Sequence, residues 1–243
     1  MKVIILAGGL GTRLSEETQS KPKPMVLIGD KPILWHIIQT YSRQGFREFI
    51  IAGGYKHKMI KEWIKFESFK KSDWLTDIQI DVKDTGQETN TGGRVAQCIE
   101  NFEGSEFLLT YGDGVANVNL SALCKFHKGS GTLATLTAVR PPARFGHIKL
   151  EGDRITHFGE KNQADEGWIN GGFFIIKREI LNYVKGNDDS LEFDVLPVLA
   201  NQNNLSGYKH YGFWQSMDTL RDKESLEALA SGKEYEKLPW LNL

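Results

Sequence analysis

The chain has 243 residues, 40% hydrophobic and 25% charged, enough apolar material for one substantial core without a disulfide or a structural metal. Its formal net charge is −1, which excludes a global attraction to nucleic acid or to anionic lipid, so we expect neither nucleic acid nor a membrane as a partner. The chain has two cysteines, and their spacing is not that of a metal site. Its apolar runs are too short for a signal peptide or a membrane span. We therefore predict a cytoplasmic protein.

The chain opens with a predicted strand that runs into a glycine-rich loop. Val3–Ala7 is entirely apolar and is typical of a strand buried on both faces. Gly8, Gly9 and Gly11 follow. Glycine has no side chain to block a ligand and adopts conformations that other residues avoid, so successive backbone N–H groups of such a loop can point at one anion. The loop fits neither the dinucleotide fingerprint, which needs glycine where this chain has Leu14, nor the Walker loop, which needs lysine directly after its last glycine.

Two cations follow this loop and favour a phosphate ligand. Arg13 carries a fork of donors suited to phosphate oxygens. Lys23 lies between Pro22 and Pro24, which stiffen the backbone around it. The glycines alone are explained equally well by a tight turn with a solvated arginine. With the two cations included, we predict a phosphate-binding loop.

The next part of the chain alternates between predicted helices and strands, the pattern of a mostly parallel α/β sheet whose ligands bind beyond the carboxyl ends of its strands. We predict helices over 32–45, 59–64 and 120–128, and strands over 48–52, 78–82, 107–111 and 132–138. The segment 84–94 is a loop rich in hydroxyls and glycine, in which Thr91 is placed to cap the next helix. A plain surface loop is the alternative.

From residue 140 the pattern changes. Short segments over 146–150, 154–158 and 169–176 predict antiparallel strands beside the parallel sheet, where a second ligand would bind. A helix over 191–199, a strand over 208–213 and a last helix closed by Gly232 complete the chain. No linker or repeat divides the sequence, so we expect a single domain, 1–243, in which 1–139 is mainly the nucleotide-binding half and 140–243 mainly the half for the second ligand.

Two aspartates follow predicted strands and suggest a metal site. Asp113 lies between two glycines at a strand end, and Asp218 follows the strand predicted near the C-terminus. A simple turn is the alternative for Asp113. Two carboxylates and bridging phosphates suit Mg²⁺, which we predict as the cofactor. Such a site serves phosphoryl or nucleotidyl transfer, in which cations align an attacking phosphate oxygen with the α-phosphorus. The predicted catalytic residues are Arg13, Lys23, Asp113 and Lys161.

These residues resemble a known family. The loop 6–14 with Lys21-Pro22-Lys23-Pro24 is similar to the signature of the sugar-1-phosphate nucleotidyltransferases. Four further runs narrow this resemblance to the glucose-1-phosphate cytidylyltransferases: 84–94, 110–115, 169–172 and 213–222. The resemblance covers nearly the whole chain. It implies a Rossmann-like, mixed, mostly parallel sheet flanked by helices (the nucleotide-diphospho-sugar transferase fold) with a small antiparallel sugar-binding part. It also implies a homo-oligomer that makes CDP-glucose and pyrophosphate from CTP and α-D-glucose 1-phosphate for bacterial surface polysaccharides.

The resemblance also implies roles for individual residues. Asp113 and Asp218 would bind Mg²⁺, Lys161 would hold the sugar phosphate, and Glu160 and Asn170 would bind hexose hydroxyls. The CTP contacts would be Leu6, Ala7, Gly8, Gly9, Leu10, Gly11, Thr12, Arg13, Lys23, Thr89, Arg94 and Gly112.

This sequence departs from the family at two places. The segment between the Trp63 helix and Asp84 is shorter than in the family, and Asn162 follows Glu160-Lys161 where the family has proline. One alternative is therefore the same chemistry with another nucleoside triphosphate or another hexose or heptose 1-phosphate. Another is a non-catalytic nucleotide-sugar sensor, which the retained cations and aspartates disfavour.

Overall fold

Residues 1–66, 77–141, 147–159 and 167–242 are described by a computed structural model. The strands are Val3–Ala7 (β1), Leu27–Ile28 (β2), Lys31–Pro32 (β3), Glu48–Gly53 (β4), Gln79–Asp84 (β5), Glu106–Tyr111 (β6), Gly114–Ala116 (β7), Ala134–Val139 (β8), His147–Glu151 (β9), Arg154–Gly159 (β10), Ile169–Lys177 (β11), Leu205–Lys209 (β12) and Trp214–Ser216 (β13). The α-helices are Ser15–Thr18 (α1), Ile33–Ser42 (α2), His57–Phe66 (α3), Thr91–Ile99 (α4), Leu120–Ser130 (α5), Leu196–Asn201 (α6) and Leu220–Ala230 (α7).

Seven strands form one sheet in the order β12-β8-β11-β6-β1-β4-β5. Every strand in it runs in the same direction except β11, which is antiparallel to both of its neighbours. The predicted mixed, mostly parallel sheet is therefore confirmed. The carboxyl ends of β1 and β6 lie side by side, because Leu6 pairs with Tyr111. The loops that follow these two strands therefore meet at one edge of the sheet.

The sheet is buried on both faces, as the apolar composition of β1 predicts. Val3, Ile5 and Ala7 belong to the apolar layer that includes side chains of α2 and α5. Ile4 and Leu6 belong to the opposite layer, with side chains of α4 and α6. Alternate residues of a strand point to opposite faces, so a strand between two helical layers must be apolar throughout.

Three short antiparallel pairs stand apart from this sheet: β2 with β3, β7 with β13, and β9 with β10. The prediction of antiparallel strands beside the sheet is thus correct for β9 and β10. For β11 the strand and its antiparallel direction are also correct, but it lies inside the sheet between β6 and β8 rather than beside it. Its Phe174 and Ile176 are buried in one apolar layer and Phe173 and Ile175 in the other, so this strand, like β1, contributes to the core on both faces of the sheet.

Two local predictions are wrong, and a third is right except for the type of its first turn. The helix predicted over 191–199 is helical throughout: a π-helical turn, Leu191–Val195, continues directly into α6. The strand over 208–213 is instead β12, which ends at Lys209; a turn follows, in which the His210 ring lies 3.1 Å from the Phe213 carbonyl. Thr91 does not cap α4; it is its first residue, and Asn90 occupies the cap position.

Helix α2 is buried along its whole length, and His36 lies inside it with both ring nitrogens engaged. Nε2 is 3.0 Å from the Ile28 carbonyl, and the Trp240 indole N–H donates to Nδ1 at 3.3 Å. Burial lowers the pKa of His36 to about 4, against the opposing effect of the Ile28 carbonyl. The neutral ring is therefore part of the core. Among the residues that the structure describes, no helix is long and apolar enough to cross a bilayer.

Candidate active site

Two adjoining cavities open at the edge of the sheet where β1 and β6 end. The glycine-loop cavity, of about 470 Å³, is bounded by the loops after β1 and β5. The β11 cavity, of about 670 Å³, is bounded by the start of β11, by β13 and by the first turn of α7. Arg13, Tyr111 and Asp113 line both cavities. Two ligands bound here would meet at these three residues.

The residues predicted to contact a nucleotide surround the glycine-loop cavity. They are Leu6, Ala7, Gly8, Gly9, Leu10, Gly11, Thr12, Arg13, Lys23, Thr89, Arg94 and Gly112. Asn170, Asp113 and Asp218 line the β11 cavity. Glu160 and Lys161, predicted to contact the sugar and its phosphate, lie outside the described residues. The residues are thus grouped as expected, while their roles as ligands stay predictions.

The glycines of the loop serve different purposes. A Cβ at Gly8 would lie 2.1 Å from a guanidinium nitrogen of Arg94, so Gly8 is required by a neighbouring side chain. A Cβ at Gly9 would have nothing within 4 Å, so this glycine leaves the cavity open. Gly11 has a φ of +69°, which favours glycine. Only part of the bare backbone is therefore available to a phosphate.

Arg94 holds the wall of this cavity together. It is 4% exposed, and its guanidinium donates to the carbonyls of Gly8 and Gly53 and to acceptors in residues 85–87, at distances from 2.6 to 3.2 Å. Burial is the main cause of its lowered pKa, only partly opposed by nearby charges. These hydrogen bonds join three loops, so the guanidinium supports the cavity from behind rather than presenting free donors to it.

The two predicted metal ligands lie close together. Lys23 Nζ is 2.6 Å from Asp113 Oδ2 and 2.8 Å from Asp218 Oδ1. The pairing of β13 with β7 aligns Ser216 with Gly114, and the Met217 amide donates to the Asp113 carbonyl at 2.8 Å. This pairing brings together carboxylates that are more than one hundred residues apart in the sequence. They occupy the junction of the cavities.

The charges at this junction are mutually stabilising. Burial disfavours the charged form of Lys23, but Asp113 and Asp218 outweigh this and raise its pKa. Burial likewise opposes ionisation of Asp218, yet Lys23, with Arg13, holds the pKa of Asp218 below its ordinary value. Arg13 NH2 is 2.9 Å from Asp218 Oδ1, while 73% of the Arg13 side chain is exposed. Arg13 therefore retains donors for an incoming anion.

The donor set at the junction fits a magnesium ion. No cluster of three or more histidine, cysteine or acidic residues that could hold a metal occurs in the described part of the chain. Two carboxylates whose oxygens are both within 2.8 Å of one nitrogen can still share a cation. Mg²⁺ commonly takes one or two carboxylates and completes its shell with water and substrate phosphates.

A third carboxylate, which the sequence reasoning missed, lies beside the β11 cavity. Glu192 Oε1 accepts from the Tyr111 hydroxyl at 2.6 Å and its Oε2 accepts from the Thr91 hydroxyl at 2.6 Å. Burial, with the Glu192 charge, raises the pKa of Tyr111. The helical pattern over 191–199 hid this residue. The one available signal was Ser190, a typical cap residue, which immediately precedes the helical turn that carries Glu192.

Comparisons with known proteins identify the family of this chain. A family model described as nucleotidyl transferase matches residues 2–220. The glucose-1-phosphate cytidylyltransferases of Salmonella typhi and Salmonella typhimurium are each 44% identical to the chain over 256 aligned positions, covering 99% of this chain and 98% of the relative.

A solved structure supports the fold independently. The crystal structure of UDP-glucose pyrophosphorylase complexed with UDP-glucose superposes with a TM-score of 0.71 at 17% identity, covering 93% of this chain and 97% of that one. The nucleotide-diphospho-sugar transferase fold is thereby confirmed. The chain belongs to the nucleotidyl transferase family, and its resemblance to the glucose-1-phosphate cytidylyltransferases is confirmed.

Proposed function

We propose that the protein transfers a cytidylyl group from CTP to α-D-glucose 1-phosphate, giving CDP-glucose and pyrophosphate. The observation that carries the proposal is the cluster of Lys23, Asp113 and Asp218 at the junction of two cavities. This cluster occurs in a chain 44% identical to the glucose-1-phosphate cytidylyltransferase of Salmonella typhi. CTP would occupy the glycine-loop cavity, and the sugar phosphate would occupy the β11 cavity.

In the proposed reaction, a phosphate oxygen of the sugar 1-phosphate attacks the α-phosphorus of CTP. A new phosphorus–oxygen bond forms, and the bond from the α-phosphorus to the oxygen bridging to the β-phosphorus breaks, so that pyrophosphate leaves with that electron pair. The attacking oxygen is already ionised, so no general base is needed. The chain's contribution is to orient the two phosphates and to offset their charge.

Lys23 and Arg13 supply the cations for this step. The Lys23 ammonium faces the point where the two cavities meet, and the exposed Arg13 guanidinium lines both. Lys161, outside the described residues, is proposed to hold the sugar phosphate. Asp113 and Asp218 would hold Mg²⁺, which supplies neutralisation of phosphate charge when bound. Asn170 and Glu160 are proposed to contact the hexose.

The same comparison supports further proposals that rest on family resemblance. We propose that the protein acts as a homo-oligomer, with residues 1–139 mainly binding the nucleotide and 140–243 mainly binding the sugar phosphate. The comparatively short segment before Asp84 is where its oligomeric contacts are expected to differ from those of its relatives. Size-exclusion chromatography with light scattering tests the assembly state.

A substrate panel tests the proposed reaction. The purified protein is incubated with Mg²⁺, glucose 1-phosphate and each of CTP, UTP, dTTP, GTP and ATP, and pyrophosphate release is followed. We expect CTP to give the largest kcat/KM, and a second panel of hexose and heptose 1-phosphates with CTP to favour glucose. Preference for another nucleotide or sugar would replace the proposed substrate, and no release with any pair would refute the reaction class.

A further inference from the structure

Glu192 connects the walls of the two cavities. Its carboxylate accepts hydrogen bonds from Tyr111 at one oxygen and from Thr91 and Ser190 at the other, at 2.6, 2.6 and 3.0 Å. Thr91 lines the glycine-loop cavity, Glu192 lines the β11 cavity, and Tyr111 lines both. One half-buried carboxylate therefore touches residues on both sides of the junction.

The backbone around Glu192 is held in an unusual conformation. Within the π-helical turn the Val195 amide donates to the Ser190 carbonyl, five residues back, at 3.3 Å. Such turns add a residue to the helical ladder and are frequent at functional sites. The preceding loop docks on the start of α4, where the amides of Gly92 and Gly93 donate to the Asp189 carbonyl at 2.9 and 3.3 Å. These contacts fix Glu192 relative to α4.

The hydrogen bonds continue from Glu192 to Asn170, and their direction is determined. The Tyr111 hydroxyl has one proton, which it donates to Glu192, so its oxygen is left to accept. Asn170 Nδ2 donates to that oxygen at 3.1 Å, and Asn170 Oδ1 accepts from the Gly172 amide at 2.9 Å. The Asn170 amide is thereby held at both ends. One amide N–H and one lone pair remain for a ligand in the β11 cavity.

We propose that Glu192 is a positioning residue that fixes the orientation of the Asn170 side-chain amide, and thereby the affinity of the β11 cavity for a hexose phosphate. The inference rests on the proposed function, because it takes the hexose as the ligand that meets Asn170. A carboxylate only accepts hydrogen bonds. It therefore forces Tyr111 to donate toward Glu192 and to accept from Asn170.

Glutamine at position 192 has the same shape but cannot accept at both ends. If its oxygen faces Tyr111, its NH₂ group meets the hydroxyls of Thr91 and Ser190, which must turn away. If its nitrogen faces Tyr111, the Tyr111 hydroxyl accepts from glutamine and must donate its own proton to Asn170. The Asn170 amide then has to rotate so that its oxygen faces Tyr111. This rotation turns its NH₂ group toward the N–H of Gly172, so that two donors face each other. The substitution thus changes the orientation of hydrogen bonds without changing the volume of the side chain.

Steady-state kinetics with CTP and glucose 1-phosphate test the proposal in four proteins: wild type, Glu192→Gln, Asn170→Ala and the double variant. We expect Glu192→Gln to raise the KM for glucose 1-phosphate by about fivefold or more, with a smaller change in kcat. In the Asn170→Ala background the same substitution should have little further effect, since the two residues act in series. Asp188→Asn, which removes an exposed charge in the neighbouring loop, is the matched control.

An equal effect of Glu192→Gln in both backgrounds would overturn the proposal, and so would an unchanged KM for glucose 1-phosphate in both Glu192→Gln and Tyr111→Phe, because the second variant removes the connecting hydroxyl whichever way the glutamine amide lies. Should Glu192→Gln lower the melting temperature strongly, Tyr111→Phe breaks the same connection from the other side and should raise the same KM.

A second measurement needs no substrate. The side-chain amide resonance of Asn170 in a ¹H–¹⁵N spectrum, identified by its loss in Asn170→Asp, should move in Glu192→Gln and stay in place in Asp188→Asn. A resonance that stays in place in both Glu192→Gln and Tyr111→Phe would refute the positioning role whatever the activity. A moved resonance in a protein that does not use CTP and glucose 1-phosphate would refute the proposed function and retain the role of Glu192.

Discussion

Replacing Lys23 by methionine separates the electrostatic role of its ammonium from the packing of its stem. The ammonium lies within 2.8 Å of oxygens from Asp113 and Asp218. Two carboxylate oxygens within 2.8 Å of one nitrogen lie no more than about 5.4 Å apart, so without the ammonium they repel by about 3 kcal/mol at an effective dielectric constant of about 20. Their side chains are 28% and 22% exposed, and solvent screening lowers the expected loss of unfolding free energy to about 2 kcal/mol.

The assay is thermal unfolding in a metal chelator, so that no cation replaces the ammonium. For a chain of this size, about 2 kcal/mol corresponds to a fall in melting temperature of about 4–8 °C. Adding Asp218→Asn to the Lys23→Met variant removes one of the two charges, and we expect most of the lost stability to return while activity stays low. Lys21→Met, which breaks a peripheral ion pair with Glu17, is the control and should cost less than about 0.5 kcal/mol.

Magnesium gives a further readout of the same variant. With Lys23 removed, the two carboxylates should bind Mg²⁺ without competition from an ammonium, so adding the ion should restore part of the lost melting temperature. A Lys23→Met protein as stable as the wild type, or one that Asp218→Asn destabilises further, would refute the reasoning that the ammonium neutralises this pair.

Three further predictions follow from the same structure. Gly8→Ala should lower the unfolding free energy by about 2–4 kcal/mol in urea, because its Cβ would displace the Arg94 guanidinium, whereas Gly9→Ala should stay within about 1 kcal/mol; equal losses would contradict this explanation. His36 takes up its proton near pH 6.5 when unfolded but only near pH 4 when folded. Stability should therefore fall by about 3 kcal/mol as the pH drops through this window, and a His36→Gln variant with the same pH slope would exclude His36 as the cause. Asp113→Asn should retain its fold by circular dichroism and lose turnover by about 100-fold or more; near-normal turnover would remove Asp113 from the metal site.

The strongly patterned parts of the fold were predictable from the sequence. The five apolar residues of β1, followed at once by glycines, and the helix–strand alternation after them favour a parallel strand buried on both faces. The position of β11 was not predictable in the same way. The sequence of β11 favours a strand but does not say which strands it pairs with. Its place between β6 and β8 is determined by how the rest of the chain packs.

The site shows the same division. The grouping of Lys23 with Asp113 could be predicted, because Asp113 follows a clearly patterned strand, β6, that ends beside β1. Asp218 was expected after a strand over 208–213, whereas it follows β13, whose pairing with β7 has no signal in the sequence. The arrangement around Arg94 could not be predicted, since its five acceptors are backbone carbonyls and one hydroxyl, and carbonyls have no sequence signature. Glu192 was missed for a related reason. A π-helical turn and an α-helix place apolar residues at nearly the same spacing, so the pattern over 191–199 did not reveal the turn that directs the Glu192 carboxylate into the site.

The pairing of β7 with β13 determines when Asp113 and Asp218 come together during synthesis and folding of the chain. Asp113 leaves the ribosome long before Asp218, and the two meet only when Trp214–Ser216 lies beside Gly114–Ala116. A nascent chain that has folded its first parallel strands holds an incomplete acidic pair until that late segment docks. The acidic pair is therefore completed last, and a product truncated before residue 214 would contain the residues of all seven strands of the main sheet but lack Asp218.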